Sequence, residues 1–353
     1  MNSVFQLWGI PPAAGLNREQ VLAVLDRILA VHPFAVVAGQ TEDTALLYEI
    51  CRRAHAAGVK VHQWASLFSE NDFAADFDPI VCADGSPFPR VFGEHFYFRC
   101  PGSEKNVRLF AQLQKQSMGD VPFDGVFLDR VRYPSFAHGD LQKLACFCPD
   151  CVRRYEQAGI DVNRVRRLLE QKDLSITGFS DGKPVFADTN MERFFAVRAE
   201  CITQAVRMLR DFFGEVSLDL FPPSQAYLTG QSLQDLAPLA AFIKPMVYRF
   251  TTAPAGLPFE QQALEAACGS VPLPDFEKQV RQWNVITANL YWGVEGGFIP
   301  GTVETTPERI EQTLSLLRQN GANAVCASWA SVLFPKENLE AFLRSCESAQ
   351  GLV

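Results

Sequence analysis

Acidic residues follow three hydrophobic stretches of this sequence, at points where short buried strands are expected to end. Asp129 ends GVFLD, Asp219 lies in VSLDLF, and Glu295 lies in YWGVEGG. A carboxylate beside a buried strand needs solvent or a cationic partner, because an unpaired buried charge is costly. Paired carboxylates cleave glycosidic bonds: one protonates the leaving oxygen, and the other acts as nucleophile or activates water. We therefore predict that these three residues form a catalytic site.

The division of roles among the three acids depends on the stereochemistry of the reaction. For a retaining reaction we assign Glu295 as nucleophile and Asp129 as acid/base, with Asp219 binding or orienting the substrate. The roles of these acids could also be exchanged. The separation of the carboxyl groups distinguishes retaining from inverting enzymes, and a sequence does not give that separation. Arg130 and Arg132 follow Asp129 closely, and an arginine that reached its carboxylate would keep it ionised.

Aromatic residues near the ends of the same strands predict a carbohydrate-binding cleft. The apolar faces of sugar rings stack on indole and phenol rings, while sugar hydroxyls bond to carboxylates and arginines. A single tryptophan more often packs in a core, but five aromatic residues around one opening favour sugar binding. We predict that the substrate-binding residues are Trp8, Trp64, Arg130, Arg132, Tyr248, Trp292 and Trp329.

The elements that must position these residues alternate between short apolar segments and longer amphipathic ones. Eight segments are almost continuously hydrophobic, as expected of parallel strands that are covered on both faces. They are residues 4–10, 34–40, 60–68, 125–131, 216–221, 243–250, 285–293 and 324–332. Eight strand-then-helix units predict an α/β fold, specifically a (β/α)8 TIM barrel. The alternative is a doubly wound open sheet, although no glycine-rich phosphate loop follows the first strand.

Two of the predicted connections are long. Insertions are expected at about 69–101, after the third strand, and at about 135–190, after the fourth. The loops that follow the strands form the active face of such a barrel. We therefore predict a single barrel domain over residues 1–353, with a deep and partly covered pocket.

Three cysteines lie close together in CFCPDC, at Cys146, Cys148 and Cys151. Three thiolates do not complete a tetrahedral zinc site, so a fourth ligand is needed. Cys100 lies in the preceding long loop, and the loops after the third and fourth strands are neighbours in a barrel. We predict a closed, structural zinc site with these four thiolates. The alternative is that the three clustered cysteines are free surface thiols.

Two motifs resemble known families. The Cys-Pro-x-Ser segment at 100–103, together with C-x-C-P-x-C at 146–151, resembles the zinc site of the glycoside hydrolase family 42 β-galactosidases. DGVFLDRVRYP at 124–134 resembles the fourth strand of uncharacterised TIM-barrel glycoside hydrolases, which often contain DGIHLDYIRYP. GVEGGFIPGTVETTPERI at 293–310 is similar to their seventh-strand segment. This resemblance implies a catalytic barrel, four zinc-binding cysteines and a nucleophile at Glu295.

The resemblance to family 42 is incomplete at the fourth strand. Family 42 enzymes carry an Asn-Glu pair there, in which Glu is the acid/base, whereas this chain has Asp129 followed by Arg130. A β-galactosidase activity therefore does not follow from the cysteines. A catalytically inactive, carbohydrate-binding barrel is the main alternative function, with Asp129 paired permanently to Arg130 or Arg132.

Composition narrows the remaining classes of function. The net charge of −8 argues against nucleic-acid and anionic-membrane partners, which need clustered lysines and arginines. A metal-dependent hydrolase needs several histidines at strand ends, but of five histidines only His62 lies in a predicted strand. The amino terminus does not have the pattern of a signal peptide, and the ten cysteines are too scattered for a disulfide scaffold. We expect a reduced, cytoplasmic protein with a carbohydrate substrate; the oligomeric state is open.

Overall fold

The computed structural model describes residues 1–9, 17–70, 76–89, 96–180, 182–269 and 271–347. Eight of its strands form one parallel sheet: β1 Asn2–Gln6, β2 Ala35–Ala38, β3 Lys60–Ser66, β4 Gly125–Asp129, β5 Val216–Leu220, β6 Ile243–Pro245, β7 Trp292–Glu295 and β8 Ala324–Ser328. They pair in the order β6-β5-β4-β3-β2-β1-β8-β7. Backbone hydrogen bonds from Ile243 to Asn289 (2.9 Å) and from Val247 to Gly293 (3.0 Å) join the two end strands. The predicted (β/α)8 TIM barrel is confirmed, and the doubly wound alternative is excluded.

Helices follow the strands and surround the barrel. They are α1 Arg18–Leu29, α2 Thr44–Ala56, α3 Glu104–Met118, α4 Pro149–Gln157, α5 Val162–Glu170, α6 Thr189–Phe213, α7 Pro223–Ala226, α8 Leu233–Leu236, α9 Leu257–Cys268, α10 Phe276–Ile286, α11 Pro307–Gln319 and α12 Lys336–Glu347. Side-chain caps fix several starts; Asp188, for example, accepts the N–H groups of Asn190 and Met191 at the start of α6. Within the described ranges, no helix is long and apolar enough to cross a membrane.

The predicted seventh strand differs most from the structure. The hydrophobic run at 285–293 is divided between the end of α10, a short connection and the start of β7. Val285 on the helix is 88% exposed, whereas Trp292 on the strand is fully buried. A short apolar run does not distinguish a strand from the last turn of a helix, which explains the difference.

The two long connections contain secondary structure and contact each other. Between β3 and α3, Ser69–Glu70 pairs with Tyr97–Phe98, and residues 71–75 and 90–95 lie outside the described ranges. Between β4 and α6 lie α4, α5 and a two-stranded hairpin. Backbone hydrogen bonds from Phe147 to Val81 (2.7 Å) and from Ala83 to Gln142 (3.0 Å) join the two connections. They therefore cover the same side of the barrel.

Alternation along the strands determines which side chains reach the inside of the barrel. Phe127 on β4 and Phe242, just before β6, stack inside it with ring centroids 5.7 Å apart. Two residues further along, side chains point inward again, since successive side chains of a strand face opposite ways. Those positions are Asp129 and Lys244. The barrel interior thus changes from apolar to charged at the carboxyl ends of the strands.

Candidate active site

A cavity of about 210 Å³ lies at the carboxyl ends of the strands. Polar and aromatic side chains from β1, β3, β4, β5 and β6 and from the segments that follow β3, β4, β5, β6 and β8 line it. The lining residues are Gln6, Gly9, Trp64, Phe96, Asp129, Arg130, Arg132, Asp219, Phe221, Lys244, Met246, Tyr248, Pro254, Ala255 and Trp329. Seven of the predicted site residues are among them, and they come from five separate parts of the sequence.

Trp8 and Trp292 were predicted to bind substrate, but neither lines the cavity. Both side chains are fully buried. Trp292 donates its indole N–H to Asn284 Oδ1 on α10, at 3.0 Å, so it faces the helices. Gly293 is the residue of β7 that faces inward, beside Lys244, and its neighbour Trp292 must therefore point outward. Trp8 donates to the Gln40 carbonyl, at 3.3 Å.

Asp129 is held at the cavity by two N–H donors. Its Oδ1 accepts from the backbone N–H of Arg130 at 2.6 Å, and its Oδ2 accepts from the indole N–H of Trp64 at 3.2 Å. Arg130 has a φ of 51°, in the left-handed region that non-glycine residues rarely adopt. Gly9 lies against Trp64, where a Cβ would meet the indole nitrogen at 3.1 Å. The carboxylate therefore has a fixed orientation and is partly exposed to the cavity.

Asp219 forms a buried ion pair with Lys244. The Lys244 ammonium lies 2.6 Å from Asp219 Oδ2, and it also donates to Gln6 Oε1 at 3.0 Å and to the Tyr248 hydroxyl at 2.9 Å. Burial raises the pKa of Asp219 to about 7, against the opposing effect of Lys244 and with added repulsion from Asp129. Burial disfavours charge on Lys244 as well, but the Asp219 carboxylate raises its pKa above the ordinary value.

Lys244 and Gln6 are site residues that the sequence analysis missed. Both are polar residues within otherwise apolar strand segments, IKPMVYRF and VFQLWGI. That is the same signal that identified the acidic residues. A lysine in a buried strand has to be paired, so it could have been assigned to the site with them.

Arg130 and Arg132 both line the cavity and are largely buried. Arg130 lies over the Phe96 ring, at 4.5 Å, and donates to the Ser69 carbonyl at 3.0 Å. Arg132 lies over the Phe221 ring, at 4.2 Å. Among the described residues, neither guanidinium donates to Asp129. Of these two arginines, only Arg130 donates to it, and it does so through its backbone N–H.

Glu295 ends β7 as predicted, but it does not line the cavity. Its side chain is fully buried, and its Oε1 accepts the backbone N–H of Phe250, at 2.5 Å. Burial raises its pKa to about 7, against the effect of that hydrogen bond. Trp329, by contrast, follows a cis peptide bond after Ser328, is 38% exposed and lines the opening.

The four predicted zinc-binding cysteines lie together outside the cavity. The sulfur atoms of Cys100, Cys146, Cys148 and Cys151 are all within 4.8 Å of one another, with Cys100 at 3.4 Å from Cys151 and 3.9 Å from Cys148. Tetrahedral zinc with Zn–S bonds of about 2.3 Å separates its sulfurs by about 3.8 Å, so the cluster fits the ion. A Cβ on Gly102 would meet Cys151 Sγ at 3.0 Å, so a glycine leaves room for the thiols. The alternative of separate surface thiols is excluded.

No known protein-family profile matches this chain, and no curated protein matches it. Solved structures do match. The glycoside hydrolase domain of PgaB (BpsB) from Bordetella bronchiseptica aligns with a TM-score of 0.64 and 14% identity, over 98% of both chains. The chain shares the barrel fold of that domain. The C-terminal domain of a candidate chitinase from Desulfitobacterium hafniense aligns with a TM-score of 0.52 and 11% identity, over 98% of this chain and 99% of that one.

A family 42 β-galactosidase, Gan42B from G. stearothermophilus, aligns less well. The TM-score is 0.49 and the identity 10%, over 96% of this chain and 55% of that one. An alignment at this level supports no inference about this protein. The resemblance to family 42 therefore rests on the four clustered cysteines.

We predict that the purified protein contains one zinc ion per chain and that Cys148→Ser loses it. The two long connections meet at the cysteine cluster, so the melting temperature should fall by about 5 °C or more, since each kcal/mol shifts it by roughly 2–4 °C in large domains. Elemental analysis and thermal unfolding measure both effects. Cys268→Ser is the matched control, because its thiol donates to the Leu264 carbonyl outside the cluster. A zinc-free wild type, or equal effects of the two variants, would contradict the prediction.

We also predict that Glu295 makes stability pH-dependent. Its folded pKa of about 7 lies above its ordinary value of 4.5, so the wild type loses stability as pH rises from about 4.5 through 7. Relative to Glu295→Gln, the free energy of unfolding should fall by about 2 to 3 kcal/mol between pH 5 and pH 8. Urea unfolding at both pH values measures this difference. Glu311→Gln, at an exposed carboxylate, should show no such change; a pH-independent difference for Glu295→Gln would refute the assignment.

Proposed function

We propose that this protein is a glycoside hydrolase that uses Asp129 and Asp219 as paired carboxylates on an O-glycosidic bond. The observation that carries the proposal is the presence of both carboxylates in one cavity, on adjacent strands, with Trp64, Tyr248 and Trp329 in the same lining. The barrel fold shared with known glycoside hydrolase domains adds support. A (β/α)8 barrel hosts many unrelated reactions, so the site residues carry more weight than the fold.

Asp219 is proposed as the proton donor. A general acid works best with a pKa near the working pH, and burial raises the pKa of Asp219 to about 7. Lys244 holds Oδ2 of this carboxyl group, which fixes its orientation. Lys244 is itself held by Gln6 and Tyr248, so this network is proposed to position the acid.

Asp129 is proposed as the nucleophile or base. Its two N–H donors leave the carboxylate oriented at the cavity, where it is partly exposed. Glu295 is the nucleophile predicted from the sequence, but its fully buried carboxylate, bound to the Phe250 backbone, lacks access to a substrate in this cavity. The proposal therefore assigns Glu295 no direct contact with the substrate.

The cysteine cluster is proposed to hold a structural zinc ion. None of its four residues lines the cavity, and four thiolates leave no ligand position for substrate. Bound zinc would balance two of the four thiolate charges and join the connection after β3 to the connection after β4. Those connections also supply Phe96, Arg130 and Arg132 to the cavity.

We predict that Asp129→Asn and Asp219→Asn each lower kcat/KM by about 10²–10⁴-fold on any aryl glycoside that the wild type hydrolyses. A panel of aryl α- and β-glycosides measures this. Asp235→Asn, at an exposed carboxylate, serves as the control and should retain wild-type rates. Full activity in either variant would refute the proposed pair. No turnover, with sugar-dependent thermal stabilisation, would favour the catalytically inactive binding barrel.

We further predict that kcat/KM declines as pH rises through about 7, because Asp219 then loses the proton that it donates. Lys244 favours the ionised form of Asp219, so its removal in Lys244→Met should move this decline to higher pH. Rates from pH 5 to 9 on one substrate test both statements. An unmoved or downward-shifted decline in Lys244→Met would show that another group limits the rate at high pH.

A further inference from the structure

Arg132 is a buried cation in the cavity lining that the proposed hydrolysis does not use. Its side chain is only 4% exposed, and burial lowers its pKa to about 10, so it stays charged at neutral pH. The guanidinium lies over the Phe221 ring, at 4.2 Å, and near Phe98, at 5.5 Å. Aromatic faces of this kind hold the guanidinium plane and leave its edges for hydrogen bonds.

The guanidinium of Arg132 has donors to spare. One of its five N–H groups, on Nη1, donates to the Tyr133 carbonyl at 3.0 Å. Among the residues that the structure describes, Arg132 forms no ion pair. Glu260, Asp129 and Asp219 favour its charged form without an ion pair, and Arg130 opposes it. A buried charge without a direct counter-ion is costly unless other groups satisfy its donors.

Two other cations show how this chain satisfies buried charge elsewhere. Lys244, in the same cavity, has Asp219 at 2.6 Å. Arg198 is fully buried away from the cavity and donates to two carbonyls, those of Leu228 at 3.0 Å and Leu144 at 2.7 Å. Arg132 has no carboxylate partner and donates to one carbonyl, that of Tyr133. It also borders the open space of the cavity, so a ligand can bind its remaining donors.

We propose that Arg132 binds a carboxylate group of the substrate, so that the enzyme acts on glycosides of uronic acids. This inference rests on the proposed hydrolase function and adds a substrate class to it. A planar guanidinium donates two parallel N–H bonds to a planar carboxylate, a match that a lysine or a neutral donor does not make. Arg130 lines the same cavity and adds positive charge beside the binding position. The overall charge of −8 gives no such preference, so selectivity is local to the cavity.

The test uses pairs of aryl glycosides that differ only at carbon 6: glucuronide against glucoside, and galacturonide against galactoside, in both anomeric forms. The wild type should prefer a uronide by roughly 10–100-fold in kcat/KM, the range expected for a charged hydrogen bond. Arg132→Gln should reduce that ratio towards one. Arg132→Lys keeps the charge but cannot donate two parallel N–H bonds, so it should give an intermediate ratio.

Arg166→Gln is the matched control. Arg166 also lies over a phenylalanine ring, that of Phe147 at 4.7 Å, and donates to the Ala83 carbonyl, but it does not line the cavity. It should keep the uronide preference. A wild type that hydrolyses neutral glycosides equally well or better would overturn the inference while upholding the hydrolase. A preference that survives in Arg132→Gln would also overturn it.

Binding separates the two proposals if no panel member is hydrolysed. Thermal unfolding of the wild type is then measured with free glucuronate, galacturonate, glucose and galactose. Stabilisation by a uronate beyond that of its matched hexose, weakening as sodium chloride is added, supports the inference even without turnover. Equal stabilisation, or none, overturns it. The wild-type comparison also decides the matter if Arg132→Gln does not fold.

Discussion

The alternation of side chains along closed, parallel strands is the constraint on which this site depends. Successive side chains of a strand point alternately into and out of a closed barrel. Each strand that ends at the opening therefore presents a single inward side chain there. In this chain those positions carry Gln6, Trp64, Asp129, Asp219 and Lys244. Residues from distant parts of the sequence meet because each has the correct parity on its strand. The same rule keeps Trp292 out, one residue before the inward Gly293.

The fold was largely predictable, because each of the eight apolar runs had a length and flanking helices that suit a barrel. Strand boundaries were less predictable. The strand predicted at 285–293 was wrong because the end of a helix and the start of a strand have the same hydrophobicity there. The acids Asp129 and Asp219 could be found from a charge in an apolar run. The sequence did not show that Glu295 would turn towards the backbone of Phe250, since that depends on the shape of the segment after β6.

The cysteines were predictable for a different reason. Their spacing and their place in two neighbouring loops are properties of topology, and side-chain parity plays no part. In the structure, the connections that carry them also bond to each other through their backbones, at Phe147 with Val81 and at Ala83 with Gln142. The cluster thus lies beside the cavity without entering it. In the proposed function, the two connections thus bind metal and substrate at separate places.

Gly293 on β7 packs against Lys244 on β6, although the two residues are far apart in sequence. A Cβ at this position would meet Lys244 Cγ at 3.0 Å and the Pro245 carbonyl at 3.1 Å, so the missing side chain on β7 is the space that the lysine of β6 occupies. A larger residue at 293 would press against the Lys244 side chain, whose ammonium holds Asp219. A smaller residue at 244 would relieve this crowding, but it would also remove the cation from Asp219. The packing of β7 and the charge balance of β5 and β6 are therefore coupled at this level of the barrel.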